Sequence, residues 1–150
     1  MDREVMNGKG VTLIELLVAI AILGILLAIA VPNYSKWREK NSIENDVHKM
    51  YGLLSELRTK AFTEKTIVNF TFNGSNDVLS ATYDNGSASV NLQNKFQFDG
   101  TDVEIDTRGT YSGSSIRPVA ASTISQVDCI SVNDTRIAIG KWKSGSCEHE

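Results

Sequence analysis

The chain is short of the residues from which metal centres are built. It has two cysteines and two histidines. His48 and His149 are dispersed, so with Cys129 and Cys147 they do not make the four-ligand set of a structural zinc site, and no metal is expected. An excess of basic charge is missing too: 15 Lys and Arg against 18 Asp and Glu give a formal charge of -3, with a sequence pI near 5.4. That balance argues against a general nucleic-acid binder. There is no internal repeat and no low-complexity tract. No Ser–His–Asp order in context, phosphate loop or paired-carboxylate pocket motif occurs, so the sequence supports neither an enzyme nor a bound cofactor. An ordinary secretory signal is absent as well. Residues 1–10 are short and polar, and no Ala-x-Ala site with a polar exit follows the apolar segment.

What is present is one long apolar run. It opens with Gly10-Val11-Thr12-Leu13-Ile14-Glu15 and continues to Val31. Residues 11–31 number about 21, roughly 32 Å as a helix, enough to cross a bilayer core. One acid, Glu15, lies near the start. A carboxylate there costs about 2.5–3.5 kcal/mol on insertion, and more if it stays unpaired. A chain that keeps it needs a partner for it. The run is hydrophobic all round, which indicates a membrane helix or a helix buried among copies of itself. Gly24 and Ala28 form a small-xxx-small pair that lets helices approach closely. Pro32 lacks an N–H and crowds the preceding turn, which predicts a kink or an interruption of the helix.

Residues 33–64 change to an amphipathic pattern. Ile43, Val47, Met50, Leu54, Leu57 and Ala61 recur in steps of four and three, while Lys40, Glu44, Lys49, Glu56, Arg58 and Lys60 lie elsewhere. The stripe is read as the core face of a domain helix, because a β-rich segment follows and needs a packing surface. Residues 66–72 are rich in β-branched and aromatic side chains and end at Asn73-Gly74; residues 78–83 end at Asp84-Asn85-Gly86. Residues 88–92, 96–98 and 103–105 follow as short strands, residues 107–115 as a polar loop. Residues 129–132 and 136–139 flank Asn133-Asp134-Thr135, a hairpin with a three-residue turn. The fold class is therefore α+β. A long kinked N-terminal helix, with an apolar half over residues 11–32 and an amphipathic half over 33–64, packs on an antiparallel β-sheet head over 65–150. With 41% hydrophobic residues, one small domain beyond the apolar run has material for a core.

Cys129 and Cys147 read as a disulfide pair, which puts the head in an oxidising compartment; two free thiols would suit only a cytosolic domain. Arg3 and Lys9 lie on one side of the apolar run and Lys36, Arg38 and Lys40 on the other, so charge does not orient it. The cysteines do, with the C-terminal domain outside the cytoplasm. Trp37, just past the run, fits equally an interfacial anchor or a ring packed between helices. Arg136, Lys141 and Lys143 surround Trp142, a composition that suits single strands or phosphates. Glu148 and Glu150 oppose it, and a solvated hairpin end is the simpler reading.

These features in this order resemble the type IV pilin and pseudopilin family. The carrying residues are Gly10, then Val11-Thr12-Leu13-Ile14-Glu15-Leu16-Leu17, then the apolar helix, then Pro32-Asn33-Tyr34. The resemblance implies a pilin-like fold in which residues 1–10 are a leader. It implies that a membrane aspartyl peptidase, the prepilin peptidase, cuts between Gly10 and Val11 on the cytoplasmic face and that Val11 is then N-methylated. The family's usual first residue is phenylalanine, and Val11 departs from it. Cleavage creates an ammonium at Val11. Glu15 would meet the ammonium of the next subunit during filament assembly, with Thr12 adding a hydrogen bond. Two charges that are costly alone are less so when paired. The alternative is a Glu15 that snorkels to the headgroups. Residues 57–62 running into 67–72, and the hairpin over 129–139, are similar to FimT-like minor pilins and H-type pseudopilins.

The resemblance thus implies a structural subunit, a minor pilin or pseudopilin of a type IV pilus or a type II secretion pseudopilus. It would sit in the bacterial inner membrane by a single span, head in the periplasm or outside, and then enter a helical filament. Its partners would be other pilins or pseudopilins, the prepilin peptidase, the inner-membrane assembly platform and the lipid bilayer, with nucleic acid disfavoured. Three alternatives stay open. A major pilin would form the filament mass. A DNA-binding minor pilin acting in DNA uptake would need Arg136, Lys141 and Lys143 to converge. A simple single-span protein would keep residues 1–10.

Overall fold

The computed structural model describes residues 12–120 and 122–148. The expected leader, the cut at Gly10 and the modified residue Val11 lie outside the described residues. Within them the chain forms one helix, α1 (Leu13–Glu64), followed by strands β1 (Val68–Phe72), β2 (Val78–Tyr83), β3 (Gly86–Asn91), β4 (Phe96–Phe98), β5 (Glu104–Ile105), β6 (Tyr111–Ser112), β7 (Ile116–Pro118), β8 (Cys129–Asn133), β9 (Arg136–Lys143) and β10 (Ser146–Glu148). The described residues fall into two compact units, which meet between Trp37 and Arg38.

In the first unit, Thr12 starts the helix. Its hydroxyl oxygen accepts from the N–H of Glu15 at 3.3 Å, and its carbonyl accepts from the N–H of Leu16 at 3.2 Å. This is the N-cap arrangement of a Thr-x-x-Glu start. The helix continues through Pro32, so the proline does not interrupt it. A proline ring removes one backbone bond and leaves the turns on either side intact, and in apolar surroundings neighbouring groups re-satisfy the released carbonyl.

In the second unit, the stripe Ile43, Val47, Met50, Leu54, Leu57 and Ala61 is buried, as its spacing predicts. It packs against two five-stranded sheets, not one. Their orders are β3-β2-β1-β5-β6 and β10-β9-β8-β7-β4, and every recorded strand pair is antiparallel. In the first sheet β1 is central. Its Val68 and Phe70 turn inward while Asn69 and Thr71 face solvent, the period of two that a half-buried strand requires. Phe70, Leu79 and Ile105 from this sheet meet Phe96, Ile116 and Ile130 from the other around Met50 and Leu54.

The second sheet holds most of the departures from expectation. The segment expected as a loop over 107–115 contains β6, and β7 and β10 are additional strands. Asn133 pairs with Arg136, so the β8–β9 turn has two central residues, Asp134 and Thr135, and not three. The tail returns as β10 through a two-residue turn at Ser144-Gly145, both at positive φ (49° and 88°), and Cys147 is then tied to Cys129.

Candidate functional site

The first unit offers an uncovered apolar surface. From Leu13 to Val31 the large apolar side chains are exposed, from 50% for Val18 to 80% for Leu13. The most apolar window has a mean hydropathy of 3.0, and none of it is buried within the chain. By length and composition this helix is able to cross a membrane. Near its start the backbone N–H of Glu15 is used in the Thr12 cap. The carboxylate of Glu15 makes no hydrogen bond or ion pair among the described residues. The cap thus fixes the first turn and leaves the acid facing outward. Gly24 lies further along the same surface. A Cβ there would meet nothing within 4 Å, so the chain's own packing gives no reason for a glycine. Tyr34 and Trp37, three apart and both exposed, place their rings 5.8 Å apart at 32°.

In the second unit the helix and the loops are tied by polar groups that the apolar pattern does not reveal. Asp46 is fully buried. Its Oδ2 accepts from the N–H groups of Gln93 and Asn94, each at 2.8 Å, and from Asn94 Nδ2 at 2.9 Å. Its Oδ1 faces Lys49 Nζ at 3.2 Å. One carboxylate therefore clamps the β3–β4 connection to α1. At the other end of the sheet, Arg58 Nε donates to the carbonyl of Gly109 at 2.8 Å and its guanidinium lies 5.2 Å from the Tyr111 ring centroid. Burial pushes the Tyr111 hydroxyl above its ordinary value of 10.0, against the opposing charge of Arg58.

The predicted disulfide is present: Cys129 and Cys147 are joined, with Cα atoms 5.9 Å apart. The two strands that carry them flank β9, and on β9 the residue opposite Cys129 is Gly140. Glycine is required there, because a Cβ would collide with the carbonyl of Glu148. The sequence reading missed Gly140, Asp46 and Asp128. An isolated glycine within a strand pattern is a signal for close backbone approach, and it was available at Gly140. For the two aspartates the telling partners are distant in sequence: Gln93 and Asn94 for Asp46, Lys141 and Trp142 for Asp128.

Arg136, Lys141 and Lys143 do not converge. Arg136 lies on the opposite side of β9 from the two lysines by strand alternation, and about 23 Å along the strand from Lys143. The Lys141 ammonium is bound by the Ser122 carbonyl, by Ser125 Oγ at 3.2 Å and by Asp128 Oδ2 at 2.6 Å. Asp128 Oδ1 in turn accepts the N–H of Trp142 at 2.7 Å. Lys141 thus holds the segment before β8 in place. An open cleft of about 730 Å³ beside it is lined by His48, Gln126, Ile139, Lys141, Lys143 and Glu148 among others. No cluster of three or more His, Cys, Asp or Glu side chains among the described residues is placed to hold a metal ion.

The comparisons with known proteins fall on the same features. Residues 5–31 match the model of the prokaryotic N-terminal methylation motif. Two curated fimbrial proteins of Pseudomonas aeruginosa are each 32% identical to the chain over 113 residues, which is 73% of this chain and 73% of each relative. No solved structure matches it.

Proposed function

The chain belongs to the type IV pilin family, and from that premise we propose that it is made as an inner-membrane precursor, cut by prepilin peptidase between Gly10 and Val11, and assembled into a filament with Glu15 paired to a neighbour's new amino terminus. Pilins are structural proteins that assemble with other pilin subunits. In this one the exposed apolar helix serves first as membrane anchor and then as filament core. The assembly platform draws the subunit from the bilayer, and the head remains outside the cytoplasm, where its disulfide is stable.

The observation that carries this reading is the unpartnered Glu15 carboxylate beside a capped helix start. Every large apolar neighbour around it is exposed. An ammonium at Val11 of the next subunit would neutralise it, and each subunit would dock until that pair forms. Charge pairing in apolar surroundings is strongly distance-dependent, so it would fix axial register.

Two measurements test this. The mass of membrane-extracted protein is expected to show loss of residues 1–10, with or without one methyl group; protein that still begins at Met1 overturns the reading. The Glu15→Ala variant is expected to be cut normally and to be depleted from sheared filaments, whereas normal incorporation rejects the pairing.

Within the family we assign the chain to the low-copy subunits, minor pilins or H-type pseudopilins, on the similarity of residues 57–62 and of the 129–139 hairpin. A second reading, the main subunit of a fimbria, is favoured by the curated relatives, which are named fimbrial proteins. Quantifying the chain in sheared filaments separates the two: a trace component is expected, and a chain that forms the filament mass selects the second.

A further inference from the structure

The helix does not turn polar at once where the apolar stretch ends. Tyr34 and Trp37 are 62% and 59% exposed, with ring centroids 5.8 Å apart. They stand one turn apart on one side of the helix. Lys36 lies between them in sequence and has no ion-pair partner among the described residues. Beyond them Arg38 stands beside Glu39, and Lys40 is paired with Glu44 at 3.8 Å, so Lys36 is the first positive charge after the apolar stretch.

We propose that Tyr34 and Trp37 on one side of the helix, and Lys36 on the other, form an interfacial collar that fixes the depth of the subunit in the outer leaflet before assembly. This inference rests on the membrane span proposed above. Its placement follows from helix geometry. Tyr34 lies about 4–5 Å and Trp37 about 9 Å beyond Val31 along the axis. The polar interface of a bilayer is about 5–7 Å thick on each side of the core. Helical side chains lean toward the N-terminus, so both rings lean back toward the apolar stretch and into that layer. An indole and a phenol each present an apolar body and a polar edge, which suits a zone that is greasy on one side and wet on the other. Lys36 extends a flexible stem to a charged head at the same level. Its complement there is the lipid phosphate. The site is continuous with the apolar surface that the bilayer covers, so lipid reaches it with no rearrangement of the chain.

The function of such a collar is positional. A subunit held at constant depth presents Glu15 at constant depth on the far side of the span. Extraction into a filament then requires the collar to leave the interface.

The test uses the full chain with Trp142→Phe, which leaves Trp37 as the only indole of the two. The protein is reconstituted in phosphatidylcholine–phosphatidylglycerol vesicles whose acyl chains carry bromine either near the headgroup or near the chain end. Co-flotation with the vesicles reports the span itself. The expected result is flotation with Trp37 emission quenched about twofold or more by the shallow bromine relative to the deep one. Flotation with equal quenching by both, or by neither, overturns the collar and leaves the span standing. Trp37 that is unquenched but photocrosslinks to a second copy also overturns it, since the face then lies between subunits. Protein that does not float removes the span and the collar together.

Discussion

The carbonyl of Glu148 occupies the place where a Cβ on Gly140 would have to be. Gly140 lies opposite Cys129 in the β8–β9 ladder, and Cys147 lies opposite Trp142 in the β9–β10 ladder. In a flat sheet the outer two of three strands are about 9–10 Å apart. Here Cys129 and Cys147 bring their Cα atoms to 5.9 Å, so β10 folds in over β9, and only a residue without a side chain lets it. The expected outcome for Gly140→Ala is loss of the bridge, with two titratable thiols in protein prepared under oxidising conditions. The destabilisation is about 2–4 kcal/mol, the usual range for losing a disulfide that closes a loop of this size. Urea unfolding of the full chain in detergent, with thiol titration alongside, checks both. An unchanged midpoint with no free thiol removes the close-approach argument.

That relationship also marks the boundary of what the sequence discloses. The helix stripe from Ile43 to Ala61 is legible because its apolar spacing is local, and all six positions are buried. Strands β1 and β2 are legible from β-branched runs that end at Asn-Gly and Asp-Asn-Gly. β6 and β7 are not. Tyr111–Ser112 is two residues long in a Gly/Ser-rich stretch, and Ile116–Pro118 contains a proline that counts against a strand. β10 supplies no residue to the apolar core, so no hydrophobic pattern announces it. The division into two sheets depends on pairings between distant segments, such as Phe96 with Pro118, which periodicity does not encode. At the candidate site, Glu15, Gly24 and the cysteines are visible as residue types in a telling order. Lys141 is misleading from sequence, because Asp128, which takes up its charge, is thirteen residues away in the chain.

Asp46 holds the β3–β4 connection to the helix, and its substitutions measure that clamp. Asp46→Ala removes the acceptor for the N–H groups of Gln93 and Asn94 and leaves them partly shielded from water. The expected loss is about 1–3 kcal/mol. Asp46→Asn keeps one oxygen, and one oxygen of Asp46 already takes all three of the short bonds from Gln93 and Asn94. What it loses is the contact to Lys49, whose side chain is 42% exposed, and the acceptor's charge, which strengthens the three bonds without being needed to form them. Asn is therefore expected to fall well short of Ala in denaturation midpoint. Equal losses would show that the ion pair, not the clamp on the loop, is what Asp46 supplies.

Acid sensitivity has a local source in the turn after β5. The N–H of Thr110 donates to Asp106 Oδ1 at 2.9 Å, and this bond does most to hold the Asp106 carboxyl well below the usual carboxylate range. Burial opposes it. The guanidinium of Arg108 at 2.9 Å and its N–H at 2.8 Å add to the lowering. With the folded value below the unfolded one, the charged form favours folding. The contribution is present above the unfolded value of about 3.8 and is lost as pH falls below it toward the folded value. Asp106→Asn is expected to lower stability at neutral pH and to make the acid limb shallower between about pH 4 and pH 2. Unfolding midpoints of both proteins across that range check it, and parallel curves would assign the acid limb to other carboxylates.

Gly24 separates folding from assembly most sharply. Apart from the adjoining turns of its own helix, nothing among the described residues lies within 4 Å of a Cβ placed there, so Gly24→Leu adds a side chain to open space. Leucine is the better helix former by about 0.8 kcal/mol, and the head, in the other compact unit, is expected to keep its denaturation midpoint within about 0.5 kcal/mol. If helices in the filament approach closely at the Gly24 and Ala28 pair, as small residues permit, the same leucine forces them apart. The expected outcome is a processed, folded, membrane-held subunit that is depleted from sheared filaments, with Gly24→Ala closer to the parent because alanine keeps the surface small. Filament incorporation of Gly24→Leu at the parental level would place this side of the helix away from other subunits, and the reason for a glycine would then lie outside helix packing.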